Sequence, residues 1–202
     1  MLDTLWAQIQ LITVPEWIGI VSGIVGVYLG IKEKLASWPL FILCYGSYVY
    51  LSYLYQLKAF MLMNAVFVVL SFYGWFKWSR PQQVAEPEMA IRHISKPRLA
   101  ICLGVLTAST LLLGTLLQHL GEAKVPFLDA FATSMGFIAQ WMLSRKYIET
   151  WFCWIISDLI YIRLLGQEGS LTSVFLFSVF VFLALKGLHD WKQSIHSTKP
   201  AT

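Results

Sequence analysis

A chain of 202 residues that is 57% hydrophobic and 13% charged, with a net charge of +4 and a mean hydropathy of +0.64, is too apolar for a water-soluble domain. Its apolar runs are long and unbroken, where outer-membrane strands would alternate within segments of about ten residues, so the composition predicts an all-α integral membrane protein. No Walker A loop, no Gly-x-Ser-x-Gly and no His-Glu-x-x-His occurs, which argues against an ATP-driven pump and against an enzyme.

In chain order, residues 1–13 read as an interfacial lead, too short to span at about 20 residues per crossing. The first span runs from Glu16 to Ile31 and carries Gly19, Gly23, Gly26 and Gly30, a smooth face for a neighbouring helix. Lys32-Glu33-Lys34 closes it, and Trp38-Pro39 opens a tyrosine-rich second span that ends near Tyr55. The third, Ala59 to Trp78, contains Asn64. Repeat 1 therefore covers 14–78, and a polar cytoplasmic loop with three prolines and four basic residues follows over 79–98. An aliphatic fourth span, 99–120, acts as a connector. Repeat 2, residues 121–191, holds a fifth span from Val125 to Leu143, a sixth from Trp151 to Leu165 and a seventh from Ser170 to Leu188, and 192–202 form a cytoplasmic tail.

Twelve of the fifteen Lys and Arg fall on one side of this arrangement, and only Lys58, Lys124 and Arg163 on the other. The positive-inside bias then places the N-terminus outside and the C-terminus in the cytoplasm. The same dispersion over short loops gives no basic platform for nucleic acid. Cys44, Cys102 and Cys153 all lie within apolar runs and read as small core residues. His93, His119, His189 and His196 have no metal-ligand spacing, so neither metal nor cofactor is expected.

An ungapped shift of 113 residues superposes the chain on itself: Glu16 on Asp129, Gly23 on Gly136, Lys32 on Arg145, Trp38 on Trp151, Tyr48 on Tyr161, Phe67 on Phe180, Gly74 on Gly187 and Trp78 on Trp191. Rare Trp and Gly pairs in a single register are the mark of duplication. Spans one to three thus repeat as five to seven with span four between them, a 3+1+3 fold of seven transmembrane helices in two parallel repeats.

The candidate site follows from that register. Trp151, Trp154, Asp158 and Tyr161 share one helical face, and their counterparts are Trp38, Phe41, Tyr45 and Tyr48. Both halves present an aromatic stripe, with an acid in only one. An acid inside a bilayer costs roughly 2.5–3.5 kcal/mol on insertion scales, which makes it a functional candidate. Arg163, five residues on, lies on a different face and does not explain Asp158 as a local ion pair. Trp151, one turn from Arg145-Lys146, suits either the interfacial belt or the site. Gln140 and Asn64 suit either helix-to-helix hydrogen bonding or substrate recognition. Glu16 and Asp129 read as helix-start charges. The stripes suit a flat, cationic small molecule held between rings; a non-transporting membrane scaffold that uses them as packing surface is the other class of reading.

Glu16-Trp17 with the glycine-rich span, Asn64 with Gly74-Trp75-x-x-Trp78, Gln140-Trp141 with Arg145-Lys146, Trp151-x-x-Trp154 with Asp158, and Gly187 to Trp191 resemble the Pnu-type vitamin transporters over about residues 14–192, and most of all their nicotinamide riboside branch. That resemblance implies a seven-helix fold related to the SWEET sugar transporters and a homotrimer in the inner membrane. It also implies facilitated diffusion of a vitamin that a cytoplasmic kinase then traps. It carries substrate-binding roles onto Trp151, Trp154, Asp158, Gln140 and Asn64. Departures at Leu57-Lys58-Ala59-Phe60 and at Phe177 and Phe180 leave thiamine and riboflavin beside nicotinamide riboside as expected substrates.

Overall fold

The computed structural model describes residues 2–80 and 90–197. Residues 81–89 of the predicted loop and the last five of the tail lie outside that description. The described chain is helical: α1 Leu2–Gln10, α2 Val14–Ile31, α3 Ser37–Leu54, α4 Lys58–Ser79, α5 Lys96–Leu120, α6 Pro126–Ser144, α7 Thr150–Gln167 and α8 Leu171–Ser197. By length and composition α2, α4, α5 and α8 are apolar enough to cross a membrane. The other three long helices, α3, α6 and α7, have 18 to 19 residues and lower hydropathy, to which buried polar side chains such as Ser52, Gln140 and Asp158 contribute.

Helix ends follow local chemistry. Glu16 reaches back to Thr13, whose backbone N–H and hydroxyl donate to Glu16 Oε2 at 2.6 and 2.9 Å, so the first acid of α2 closes its own N-terminus. Pro15, Pro97 and Pro126 stand in first turns, where no N–H is missed. The lead is helical, and α1 is tied to α8 by Gln8, which donates to Gly169 O at 2.9 Å and accepts from Thr172 N at 3.2 Å.

The 113-residue register reappears in the packing. Trp38 lies edge-on to Trp78 with ring centres 5.3 Å apart at 81°, and their counterparts Trp151 and Trp191 pair at 5.2 Å and 83°. Each inner indole lies against a glycine: a Cβ on Gly74 would sit 2.0 Å from Trp38, and one on Gly187 would sit 2.6 Å from Trp151. Only glycine admits an indole so close to the backbone of the third helix, which is why the Trp and Gly matches occur as sets. Glu33 and Lys146, also counterparts, both take left-handed backbone at φ 53 and 55.

Contacts between the halves are reciprocal too. Trp78 Nε1 donates to Ser144 O at 3.2 Å, and Trp191 Nε1 to Ile31 O at 3.0 Å, so the last indole of each half binds the end of the other half's first helix. Lys146 Nζ meets Glu33 Oε2 at 2.7 Å, Arg145 Nε donates to Tyr73 at 2.9 Å, and Lys32 pairs with Asp190 at 3.1 Å. The halves meet mainly along two equivalent seams, α2 against α8 and α4 against α6, while α5 packs on α6 and lightly on α4.

Candidate substrate-binding site

Between the two seams lies a cavity of about 490 Å³. One end is lined by Leu57 in the α3–α4 loop, Glu122 in the α5–α6 loop and Glu168 at the C-terminus of α7; the other by Leu143, Trp151 and Ala184. The tryptophan cluster closes that second end: Trp38, Trp78, Trp151 and Trp191 pack with Ile31, Ile148 and Leu143. Leu143 comes within 3.9 Å of the Cβ position of Gly30, its own counterpart, and so reaches across the line between the halves.

Of the nine expected site residues, Trp151, Trp154, Asp158, Tyr161, Asn64, Tyr45 and Tyr48 line the cavity. The other two do not. Trp38 is fully enclosed between Gly74, Trp78 and Phe41, as a core side chain. Gln140 is also fully enclosed and donates from Nε2 to Ser71 Oγ at 3.1 Å, so it joins α6 to α4 behind the cavity wall. Trp151 contributes little more than an edge, since it is 1% exposed and its N–H is enclosed without a partner.

Aromatic faces form one wall. Tyr45 stacks on Phe67 with centres 4.6 Å apart at 13°, and Phe67 faces Trp154 at 6.3 Å and 24°. Phe67 is held by Gly136, where an added Cβ would fall 2.9 Å from its ring; the counterpart Phe180 stands 3.4 Å from the same position of Gly23. The sequence pairs Phe67 with Phe180 and Gly23 with Gly136 in the duplication register, but does not by itself place the two phenylalanines among the site residues. Phe177 stacks on Tyr161 with centres 5.0 Å apart.

Polar groups are unevenly shared. Asp158 is buried, lines the cavity, and among the described residues has neither hydrogen bond nor ion pair. Its neighbour Ser157 is spent on Ala132 O at 2.9 Å. Asn64 donates to Phe60 O on its own helix at 2.8 Å, which leaves its carbonyl oxygen for the cavity. Nearer the open end, Tyr161 donates to Asp129 Oδ1 at 3.1 Å and lies 2.6 Å from the Thr133 hydroxyl. Asp129 therefore serves the site as well as the start of α6, a role its terminal position concealed. Glu122 accepts from the backbone N–H groups of Ala59 and Phe60 at 2.9 and 3.4 Å, and Glu168 pairs with Lys124 at 3.4 Å. Four carboxyl side chains, Glu122, Asp129, Asp158 and Glu168, line the cavity, and no Lys or Arg does so among the described residues. No cluster able to hold a metal ion occurs among the described residues.

A family model described as nicotinamide mononucleotide transporter matches residues 13–193. The chain belongs to that family. Similar relatives include the nicotinamide riboside transporter PnuC of Escherichia coli, 25% identical over 89% of this chain and 85% of the relative. The riboflavin/roseoflavin transporter RibM of Streptomyces davaonensis is 23% identical over 87% and 83%. A crystal structure of the vitamin B3 transporter PnuC shares the fold, with a TM-score of 0.74 at 20% identity over 98% of this chain and 91% of that one. The chain is thus a multi-pass membrane transporter of the Pnu vitamin type and not an enzyme.

Proposed function

We propose that this transporter carries a flat, positively charged vitamin, nicotinamide riboside first, into the cytoplasm by facilitated diffusion. The observation that carries the reading is Asp158, a buried carboxyl without a partner among the described residues, which lines the same cavity as Trp154 and the ring stack of Phe67 and Tyr45. A buried charge left unpaired is costly, and a pyridinium ring would supply both the missing countercharge and a partner for the indole. Asn64, Tyr161 and Thr133 offer hydrogen bonds to the ribose and carboxamide. The phosphate of nicotinamide mononucleotide would meet four carboxyl side chains, of which Glu168 is paired with Lys124, and no lining Lys or Arg among the described residues, so the dephosphorylated nucleoside is the fitting substrate. Thiamine, also a cation, is the second reading on the same observation. Riboflavin is neutral and would leave Asp158 unmatched.

The topology that suits this role has seven spanning helices, α2–α4 and α6–α8 as the two repeats with α5 as connector, and α1 at the outer interface. The twelve-to-three bias of basic residues supports an external N-terminus and a cytoplasmic C-terminus. The acidic mouth then faces outward and the tryptophan cluster seals the cytoplasmic end. A homotrimer in the inner membrane, and a cytoplasmic kinase that traps the vitamin, complete the proposal on the strength of the family resemblance. Proteoliposomes free of ATP test the energetics: labelled nicotinamide riboside should enter until internal and external concentrations match, with or without a sodium or proton gradient. Accumulation above that level would overturn facilitated diffusion.

A further inference from the structure

The duplication makes the α2/α8 and α4/α6 seams equivalent, so any difference between them marks a difference in what they do. Both carry a phenylalanine on a glycine, Phe180 on Gly23 and Phe67 on Gly136. One turn deeper they diverge. On the α4/α6 side the rung is Gln140 donating to Ser71 Oγ at 3.1 Å, with both side chains fully enclosed and Ser71 in turn donating to Phe67 O at 2.7 Å. On the α2/α8 side the same two positions are Val27 and Ala184, which make no hydrogen bond and line the cavity. The cavity's deep end follows this difference: it reaches Trp151 beside α8 but not Trp38 beside α4.

We propose that Gln140 and Ser71 are positioning residues that make the α4/α6 seam the hinge of transport, and that the halves part along α2/α8 to release substrate on the tryptophan side. A hydrogen bond between enclosed side chains in low dielectric is costly to break without a replacement, whereas an apolar contact slides at little cost. Opening at the tryptophan end along α2/α8 breaks the Trp191 to Ile31 hydrogen bond and the Lys32–Asp190 pair, both at that seam. Trp78 to Ser144 and Arg145 to Tyr73 stay closed on the hinge side.

This inference rests on the transport reading, so its test has one readout that needs no transport. Spin labels are placed in the full chain reconstituted in lipid, on Tyr28→Cys with Leu185→Cys across α2/α8 and on the equivalent Trp141→Cys with Phe72→Cys across α6/α4, with the native cysteines replaced by Ser. The α2/α8 pair should give two distances and the α4/α6 pair one. Adding Val27→Gln with Ala184→Ser, which writes the Gln–Ser rung into the second seam, should merge the two distances into the shorter and slow nicotinamide riboside uptake more than tenfold. Two distances across α4/α6, a single one across α2/α8, or two that persist after the added rung would overturn the hinge. Absent uptake in the parent protein would count against the vitamin reading alone, since the distances still decide the hinge.

Discussion

Asp158→Asn removes the carboxyl that would counter a bound cation while keeping side-chain volume, and its effect on cation binding can be worked from the surroundings. A cationic ring centred about 4 Å from the carboxylate is attracted by about 4 kcal/mol at an effective dielectric of ~20. Desolvation of both ions cancels between about one third and two thirds of that, so the net loss should be roughly 1.4–2.7 kcal/mol, or about 10- to 100-fold in Kd. Calorimetry on the purified protein should show this loss for nicotinamide riboside and less than about a threefold change for its neutral dihydro form. Because Asp158 has no partner to lose among the described residues, the variant should unfold at the same temperature as the parent or a higher one. Equal weakening of both ligands would mean that the carboxylate only accepts hydroxyl hydrogen bonds. A lowered unfolding temperature would mean that it holds the fold together.

Trp154→Ala should cost about 1–3 kcal/mol of vitamin binding through lost ring contact, measured by indole fluorescence quenching or calorimetry, whereas Trp141→Ala, outside the cavity lining and tilted at 46° to Tyr147 with ring centres 5.9 Å apart, should cost much less. Gly187→Ala drives a methyl to 2.6 Å from Trp151 and Gly74→Ala drives one to 2.0 Å from Trp38, so each should destabilise by roughly 1–3 kcal/mol in thermal unfolding. Gly104→Ala, with nothing within 4 Å of its Cβ position, should be neutral in the same assay. Reporters fused at the two ends should read external before Met1 and cytoplasmic after Thr202; both ends on one side would change the number of crossings by at least one, and the reverse pattern would invert the orientation.

The elements that depend on local pattern were legible in the sequence. Trp38-Pro39 marks the start of α3, which begins at Ser37, and the duplication was visible because Trp and Gly pairs register at one shift. What the shift of 113 meant physically became visible only in three dimensions. Trp38 and Trp151 are equal in sequence, yet only Trp151 borders the cavity, a difference that no local pattern carries. Gln140 was balanced between helix contact and substrate ligand because its partner Ser71 is 69 residues away, beyond any local pattern. Asp129 looked like a helix-start charge, and its position hid the Tyr161 hydroxyl that reaches it from the next helix. Asp158 stood out from the beginning because a lone acid in an apolar run has no local explanation, and the fold supplies none either.

The central claim is that the cavity selects a flat cation through Asp158, and parallel uptake of four labelled compounds into one batch of proteoliposomes tests it most directly. Nicotinamide riboside should enter fastest, thiamine measurably, and riboflavin and nicotinamide mononucleotide no faster than into empty vesicles. Entry of the mononucleotide or riboflavin at the rate of nicotinamide riboside would contradict it.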